Sequence, residues 1–419
     1  MGLLGVMQTT RSYNSDWIHS TRLHVVMYSM LLVVTPFILL QNFLVEMIAK
    51  VSGSTVELAG SEIPVLPYLA LILLVVCLII FRSYLTKLRL LAGVIAILMF
   101  GLAQQFTDYY FDHNFYDLQQ NWHYFAYGIF AFMVYRDLAP RGKSMAKIIL
   151  ITFFSALLFS AFDETFQLYM SGRVFDISDT AKDVWGALTG IVLLYLGISR
   201  PGALLADMKR IRQPKLKAYL KQPFSLLFLL FILTLLFLIF SSLLTDFPYW
   251  YIVVLLTISS FALFFILFHF SQLNWLKYSI LAVLAIVILV QSYFYIKYRS
   301  DNIVHNRYGL TVYKGIPIVF FDVMIFPDGT FRLVDKKHYF VHQDRKLFVK
   351  QKTDIIIIGS GAYGKGGRGF ADKTSQFIYN PYTRRGTQVI IMKTPEACRL
   401  FNRLKREQKN VLFILHNTC

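Results

Sequence analysis

Charge is scarce in this chain. Only 16% of its 419 residues are Asp, Glu, Lys or Arg, while 56% are hydrophobic and 16% aromatic. That balance excludes a disordered chain and is far from that of an ordinary soluble domain. Cysteine is scarce too. Cys77, Cys398 and Cys419 are too few for a disulfide framework, although the last two share the C-terminal region and can pair in an oxidising compartment. No cleavable signal peptide is apparent; the first apolar run begins near Leu23 and reads as a retained span and signal anchor. The chain has no H-E-x-x-H spacing, no internal repeat and no low-complexity segment, so neither a metal nor a cofactor is expected. A net charge of +18 is not joined to a basic-aromatic recognition motif, so nucleic acid is not the expected partner. Membrane lipid is.

What is present is a series of long Phe- and Leu-rich runs. They predict spans near 24–46, 65–81, 89–105, 122–136, 147–167, 181–198, 223–244, 249–270 and 277–297. From about Asn302 the pattern changes to short strand-like runs with turns. The fold class read from this is mainly α: a polytopic α-helical membrane protein of about nine spans with a small C-terminal α/β domain. Domain boundaries follow as 1–200 for a first membrane domain, 201–222 for a basic linker, 223–300 for additional spans and 301–419 for the α/β domain.

Loop charge sets the orientation. Arg11 and Arg22 precede the first span, Arg82, Lys87 and Arg89 follow the second, and Arg136, Arg141, Lys143 and Lys147 follow the fourth. The strongest block, from Arg200 to Lys221, follows the sixth, while the alternate loops carry only Lys50 and Arg173 and include the acidic Asp108, Asp112 and Asp117. Short basic loops stay cytoplasmic, so the N-terminus is expected inside. Nine spans then place the C-terminal domain outside, whereas it is cytoplasmic if 249–270 and 277–297 are not both full spans.

The expected functional site is the polar cluster between two apolar runs. Asp163, Glu164 and Gln167 end an outward-going span, Arg173 lies in the external loop, and Asp179 and Asp183 begin the returning span. His123 starts a neighbouring span at the same outer face, between Trp122 and Tyr124. A charge at the centre of a membrane helix costs roughly 2.5–3.5 kcal/mol, which a chain tolerates when the groups face each other, water or a ligand. Residues three and four apart share a helix face, so Asp163, Glu164 and Gln167 can line one helix end and Asp179 with Asp183 the next. Gly186 and Gly190 continue that second face and allow close helix approach. The result is a small acidic cup for a lipid headgroup, a sugar phosphate or a cationic group. The plainer alternative is a salt-bridged knot around Arg173 that only fixes the hairpin. His123 reads equally as a proton carrier or headgroup ligand opposite Glu164, or as an interfacial residue with a wet tip.

At these residues the chain resembles the VanZ-like family of bacterial membrane proteins. The resemblance is carried by His123-Tyr124-Phe125-Ala126-Tyr127, Asp163-Glu164-Thr165-Phe166-Gln167-Leu168, Ser171-Gly172-Arg173-Val174-Phe175, Asp179 and Gly186-Ala187-Leu188-Thr189-Gly190, over residues 20–200. The family pattern is D-E-x-x-Q, G-R, then D-x-x-x-N; Asp183 stands at the Asn position and adds a negative charge. The resemblance implies the bacterial inner membrane, a cell-envelope role, and in one branch glycopeptide (teicoplanin) resistance.

In the C-terminal region, Gly359-Ser360-Gly361-Ala362-Tyr363-Gly364 matches G-x-G-x-x-G, but Lys365-Gly366-Gly367-Arg368-Gly369 is unlike a helix opening. An anion held by this loop with Lys365 and Arg368 is a better reading than a dinucleotide. Pro327-Asp328-Gly329-Thr330-Phe331, Ile355–Gly361, Thr394-Pro395-Glu396-Ala397, Phe401-Asn402 and His416-Asn417-Thr418-Cys419 resemble, over about residues 316–419, the adipogenesis-associated Mth-type domain family, which has a compact α/β fold and no established enzymatic activity. His416 and Cys419 are either a reactive pair or part of a terminal strand tucked into the core. The expected role is thus a non-enzymatic envelope factor binding a lipid-linked or polar headgroup ligand. The alternatives are a membrane enzyme or transporter using His/Glu proton transfer, and a scaffold.

Overall fold

The computed structural model describes residues 47–48, 50–58, 61–106, 118–169, 175–244, 249–334, 353–367, 375–380 and 384–418. The expected first span, Arg11, Arg22, the acidic loop residues, Arg173, Arg368 and Cys419 lie outside them. A short hairpin of β1 (Thr55–Leu58) and β2 (Ser61–Pro64) leads into α1 (Val65–Ile80). Then come α2 (Lys87–Phe106), α3 (Leu118–Leu138), α4 (Met145–Gln167) and α5 (Ile177–Ile198). The basic linker is not featureless; it holds α6 (Pro201–Lys209) and α7 (Leu216–Tyr219). Three further helices follow: α8 (Pro223–Leu243), α9 (Trp250–Phe270) and α10 (Asn274–Tyr298).

Among the described residues, six helices are long and apolar enough to cross a membrane: α2, α4, α5, α8, α9 and α10. Two others expected as spans fall short for different reasons. The 16 residues of α1 are apolar throughout, yet rise only about 24 Å against a hydrocarbon core of about 30 Å. Helix α3 has 21 residues but carries Gln119, Gln120, Asn121, His123, Arg136 and Asp137. The apolar faces of α1, α9 and α10 are left uncovered, with Leu73, Leu255 and Leu289 all more than 60% exposed, and no buried residue occurs on α1 or α10. Surfaces of that extent suit lipid rather than water.

Helix α5 is the centre of the bundle and packs against α2, α3, α4 and α8. Its Trp185 is fully buried and donates to the Met99 carbonyl at 3.1 Å, so the indole N–H has a partner inside the apolar core. Against α3 the packing relies on missing side chains. A Cβ on Gly186 would come within 2.7 Å of the Tyr124 carbonyl oxygen, and one on Gly190 within 2.5 Å of the Gly128 carbonyl oxygen. The small-xxx-small expectation is met in this contact.

The C-terminal domain begins with a three-stranded antiparallel sheet, β3 (Ile303–Arg307), β4 (Leu310–Tyr313) and β5 (Ile316–Val319). β5 ends where Phe320 turns the chain with φ +62°, and β6 (Asp322–Ile325) starts anew. β6 pairs with β7 (Phe331–Val334) around a turn at 327–329. With β8 (Ile355–Gly359), β9 (Ser375–Asn380), β10 (Arg385–Met392) and β11 (Val411–Leu415) they form a six-stranded sheet of order β7-β6-β11-β8-β10-β9. β8 lies parallel to both β10 and β11, and is covered on one face by α11 (Thr394–Arg406) through Ala397, Phe401 and Phe413. The apolar runs of β8 and β11 are the pattern of strands buried on both faces. Helix α10 meets this domain where Gln291 donates to the Gly315 carbonyl at 2.9 Å.

The glycine contact gives a first expected outcome. Gly190→Leu overpacks the α3–α5 interface and lowers stability in detergent by about 1–3 kcal/mol, measured by thermal unfolding. Gly93→Ala, at a helical glycine with open space beside it, does not lower the unfolding temperature.

Candidate functional site

The polar cluster is assembled where four helix ends meet: the C-terminal ends of α2 and α4 and the N-terminal ends of α3 and α5. Helix α5 starts at Asp176, whose carboxylate accepts from the Ser178 N–H at 2.8 Å as an N-cap, and Asp179 follows in the first turn. Carboxylates at that position are favoured by the unpaired N–H groups and the helix dipole. The Asp176 N–H in turn donates to Glu164 Oε2 at 2.9 Å, so the end of α4 helps to start α5.

The approach of α3 to α5 at Gly186 brings His123 against two carboxylates. His123 Nδ1 lies 2.9 Å from Asp183 Oδ1, and Nε2 lies 3.6 Å from Asp179 Oδ2. The other oxygen of Asp183 accepts from the Ser160 hydroxyl at 2.6 Å. Lys182 is wholly buried; its ammonium donates to Asp179 at 3.0 Å and to Gln120 of α3. Glu164, 1% exposed, accepts from Gln167 Nε2 at 2.7 Å. At the edge of the cluster Gln104 of α2 donates to Asn121 Oδ1 at 2.8 Å.

Asp183, Asp179 and His123 thus form one connected group, and Glu164 with Gln167 a second, joined to the first through Asp176 and the start of α5. Asp163 is half-buried on α4 beside Glu164. His123 faces Asp183 and Asp179, while the carboxylate of Glu164 is engaged by Gln167 and the Asp176 N–H. The departure from the family pattern has a definite consequence. A carboxylate at 183 accepts from both His123 and Ser160, whereas an amide there would present an N–H2 to one of them.

Lys182, Ser160, Gln120 and Asp176 belong to the cluster and were not singled out from the sequence. Their spacing carries the signal: Lys182 follows Asp179 by three, Ser160 precedes Glu164 by four, and Gln120 precedes His123 by three. Four carboxylates (Glu164, Asp176, Asp179 and Asp183) are set against the two basic side chains Lys182 and His123. Burial is graded. Asp183 and Lys182 are inside, while the side chains of His123 and Asp179 are 20% and 21% exposed and form the accessible edge.

The C-terminal residues read from sequence sort differently. The glycine-rich turn after β8 does not open a helix among the described residues; α11 follows β10 instead. Lys365 is exposed there. His416 is 1% exposed and pairs with Asp322 at 2.7 Å, and Asn417 N–H donates to the same carboxylate at 2.8 Å. That ties the end of β11 into the core. Cys398 is a buried free thiol on α11, pushed up to about 12 by burial.

Residues 4–198 match the family model VanZ/LLP1, and residues 307–416 match the model described as protein of unknown function, DUF498/DUF598. The chain joins a VanZ-like region to a DUF498-type domain. The VanZ-like region contains the whole polar cluster, and the DUF498-type domain begins within β3. No curated protein matches the chain. A solved structure titled MT938 is 22% identical and covers 28% of this chain and 98% of its own, with a TM-score of 0.23, too low to speak for the fold. The VanZ match, with six apolar helices of spanning length, marks a multi-pass membrane protein.

The His123–Asp183 contact is testable as a coupling. In a double-mutant cycle of His123→Ala and Asp183→Ala, each single change costs about 3–5 kcal/mol by leaving a buried partner unmatched. The double variant is then expected to be less destabilised than the sum of the two. Additive losses in thermal unfolding would show that the pair is not coupled.

Proposed function

We propose that this VanZ-like chain is a nine-span protein of the bacterial inner membrane whose polar cluster faces outward and binds the polar headgroup of a lipid-linked envelope ligand. The observation that carries the reading is the accessible His123–Asp179 edge above a buried, carboxylate-rich network. Such an edge takes up hydrogen-bond donors and cationic groups, while the network behind it holds it rigid. Helix α3 counts as a span in this reading because its polar face turns toward α5 and α2 rather than lipid, as intramembrane polar residues do. Helix α1 and the 24–46 run complete the nine, and the domain boundaries at 200, 222 and 300 follow. Arg173, on the segment between α4 and α5, supplies a guanidinium for a phosphate on the same ligand. Occupying or shielding such a ligand alters the access of envelope-targeting compounds, which connects this site to the glycopeptide resistance that the resemblance implies for one branch of the family.

One observation favours a second reading. His123 sits between two carboxylates, an arrangement that can pass a proton, so a transporter or enzyme acting on a lipid-type substrate would use His123 with Asp183 rather than His123 with Glu164. The two readings separate in nanodiscs with the full chain and a lipid-linked peptidoglycan precursor as the probe. Asp179→Asn weakens binding by about tenfold through loss of a charge-assisted hydrogen bond, with no turnover in either protein. Wild-type affinity in Asp179→Asn and in His123→Gln overturns the binding site. Turnover that disappears in Asp183→Asn establishes the second reading.

A further inference from the structure

Alongside the basic linker, α4, α8 and α9, with Val184 of α5, leave a cleft of about 690 Å³. Its walls run from Leu150 to Leu157 on α4, from Leu226 to Phe237 on α8 and from Val254 to Phe265 on α9. The walls are apolar even where the sequence is not. Thr234 and Thr257 turn their hydroxyls back onto the Leu230 and Val253 carbonyls, at 2.8 and 2.7 Å. Ordered water needs two to four polar partners and finds none here. Leu226 to Phe237 is eleven helical steps, so the cleft is about 16 Å long, matching a good part of one acyl chain.

What sets this cleft apart from a plain lipid-facing groove is the basic helix at one end of it. Helix α7 lies across it, with Leu216 and Leu220 lining the cleft and Tyr219 buried against Phe265 at a ring-centroid distance of 5.3 Å. The same short segment carries Lys215, Lys217 and Lys221, all exposed and with no ion pair among the described residues. The segment is held in place by hydrogen bonds rather than by these lysines. Asp207 of α6 accepts from Tyr195 of α5 and from Gln222, both at 2.7 Å, and Arg212 stacks over Phe268 at 5.7 Å. Three cations are therefore free to serve a ligand at the mouth of an apolar channel.

We infer that this cleft is a binding site for an anionic phospholipid, with one acyl chain between α4, α8 and α9 and the phosphate among Lys215, Lys217 and Lys221. Charge complementarity selects the headgroup; the cleft holds the chain. The site is separate from the polar cluster and stands whatever that cluster binds.

The experiment is native mass spectrometry of the full chain in mild detergent, titrated with phosphatidylglycerol or with phosphatidylcholine of the same acyl chains. The wild type is expected to retain phosphatidylglycerol over phosphatidylcholine by about tenfold or more. Replacing the three lysines together (Lys215→Gln, Lys217→Gln, Lys221→Gln) brings that ratio close to one. Ile258→Trp, at a lining position 57% exposed, fills the cleft and lowers retention of both lipids severalfold. The lysines are on the surface and Ile258 is outside the core, so both variants keep the wild-type unfolding temperature. Equal retention of the two lipids by the wild type overturns the inference. So does retention of phosphatidylglycerol that Ile258→Trp leaves intact, since the headgroup would then be adsorbed without its chain.

Discussion

The arrangement of the membrane region depends on how closely α3 and α5 approach each other. Two glycines one helical turn apart, Gly186 and Gly190, remove the side chains that would hold the backbones apart, and carbonyl oxygens of Tyr124 and Gly128 occupy the space. In lipid there is no hydrophobic force to press helices together, so close backbone contact and polar pairing must do it. The same contact decides the chemistry. It sets His123 beside Asp183 and Asp179, and Gln120 beside Lys182, one turn beyond the glycines.

From that contact outward the bundle is graded. Most of its buried charged groups are gathered at one end and hydrogen-bonded within the protein, while α1, α9 and α10 present almost unbroken apolar surface. The other end is basic and fastened by Asp207 and the linker helices. A carboxylate at 183 rather than an amide makes the network more acidic than the family pattern, yet leaves both oxygens engaged. On the proposed readings the two ends take opposite ligand chemistry: donors and cations at one, anionic headgroups at the other.

Much of this was legible in the sequence, because a lipid solvent imposes long apolar runs and makes every interior charge conspicuous. Eight of the expected span positions correspond to helices, the glycine pair packs as its spacing predicts, and His123, Asp179 and Asp183 come together. Lys182 was harder to see. Next to Asp183 it reads as one more charge at a helix start, and only its neighbours on α3 reveal that it is buried. His123 illustrates the same limit: helical spacing gives faces on one helix, not which residue of the next helix lies opposite. In the C-terminal domain the break at Phe320 was hidden, since a non-glycine residue with positive φ leaves no mark in composition. Arg173, which the pattern places beside the cluster, lies outside the described residues.

The central claim is that the whole polar set opens on the outer side of the membrane. Tyr169, 83% exposed just beyond the end of α4, is next to that set without being part of it. In a chain with Cys77, Cys398 and Cys419 replaced by Ser, Tyr169→Cys is predicted to react with a membrane-impermeant maleimide in intact spheroplasts. Labelling that appears only after lysis would place the cluster on the cytoplasmic side and contradict the account.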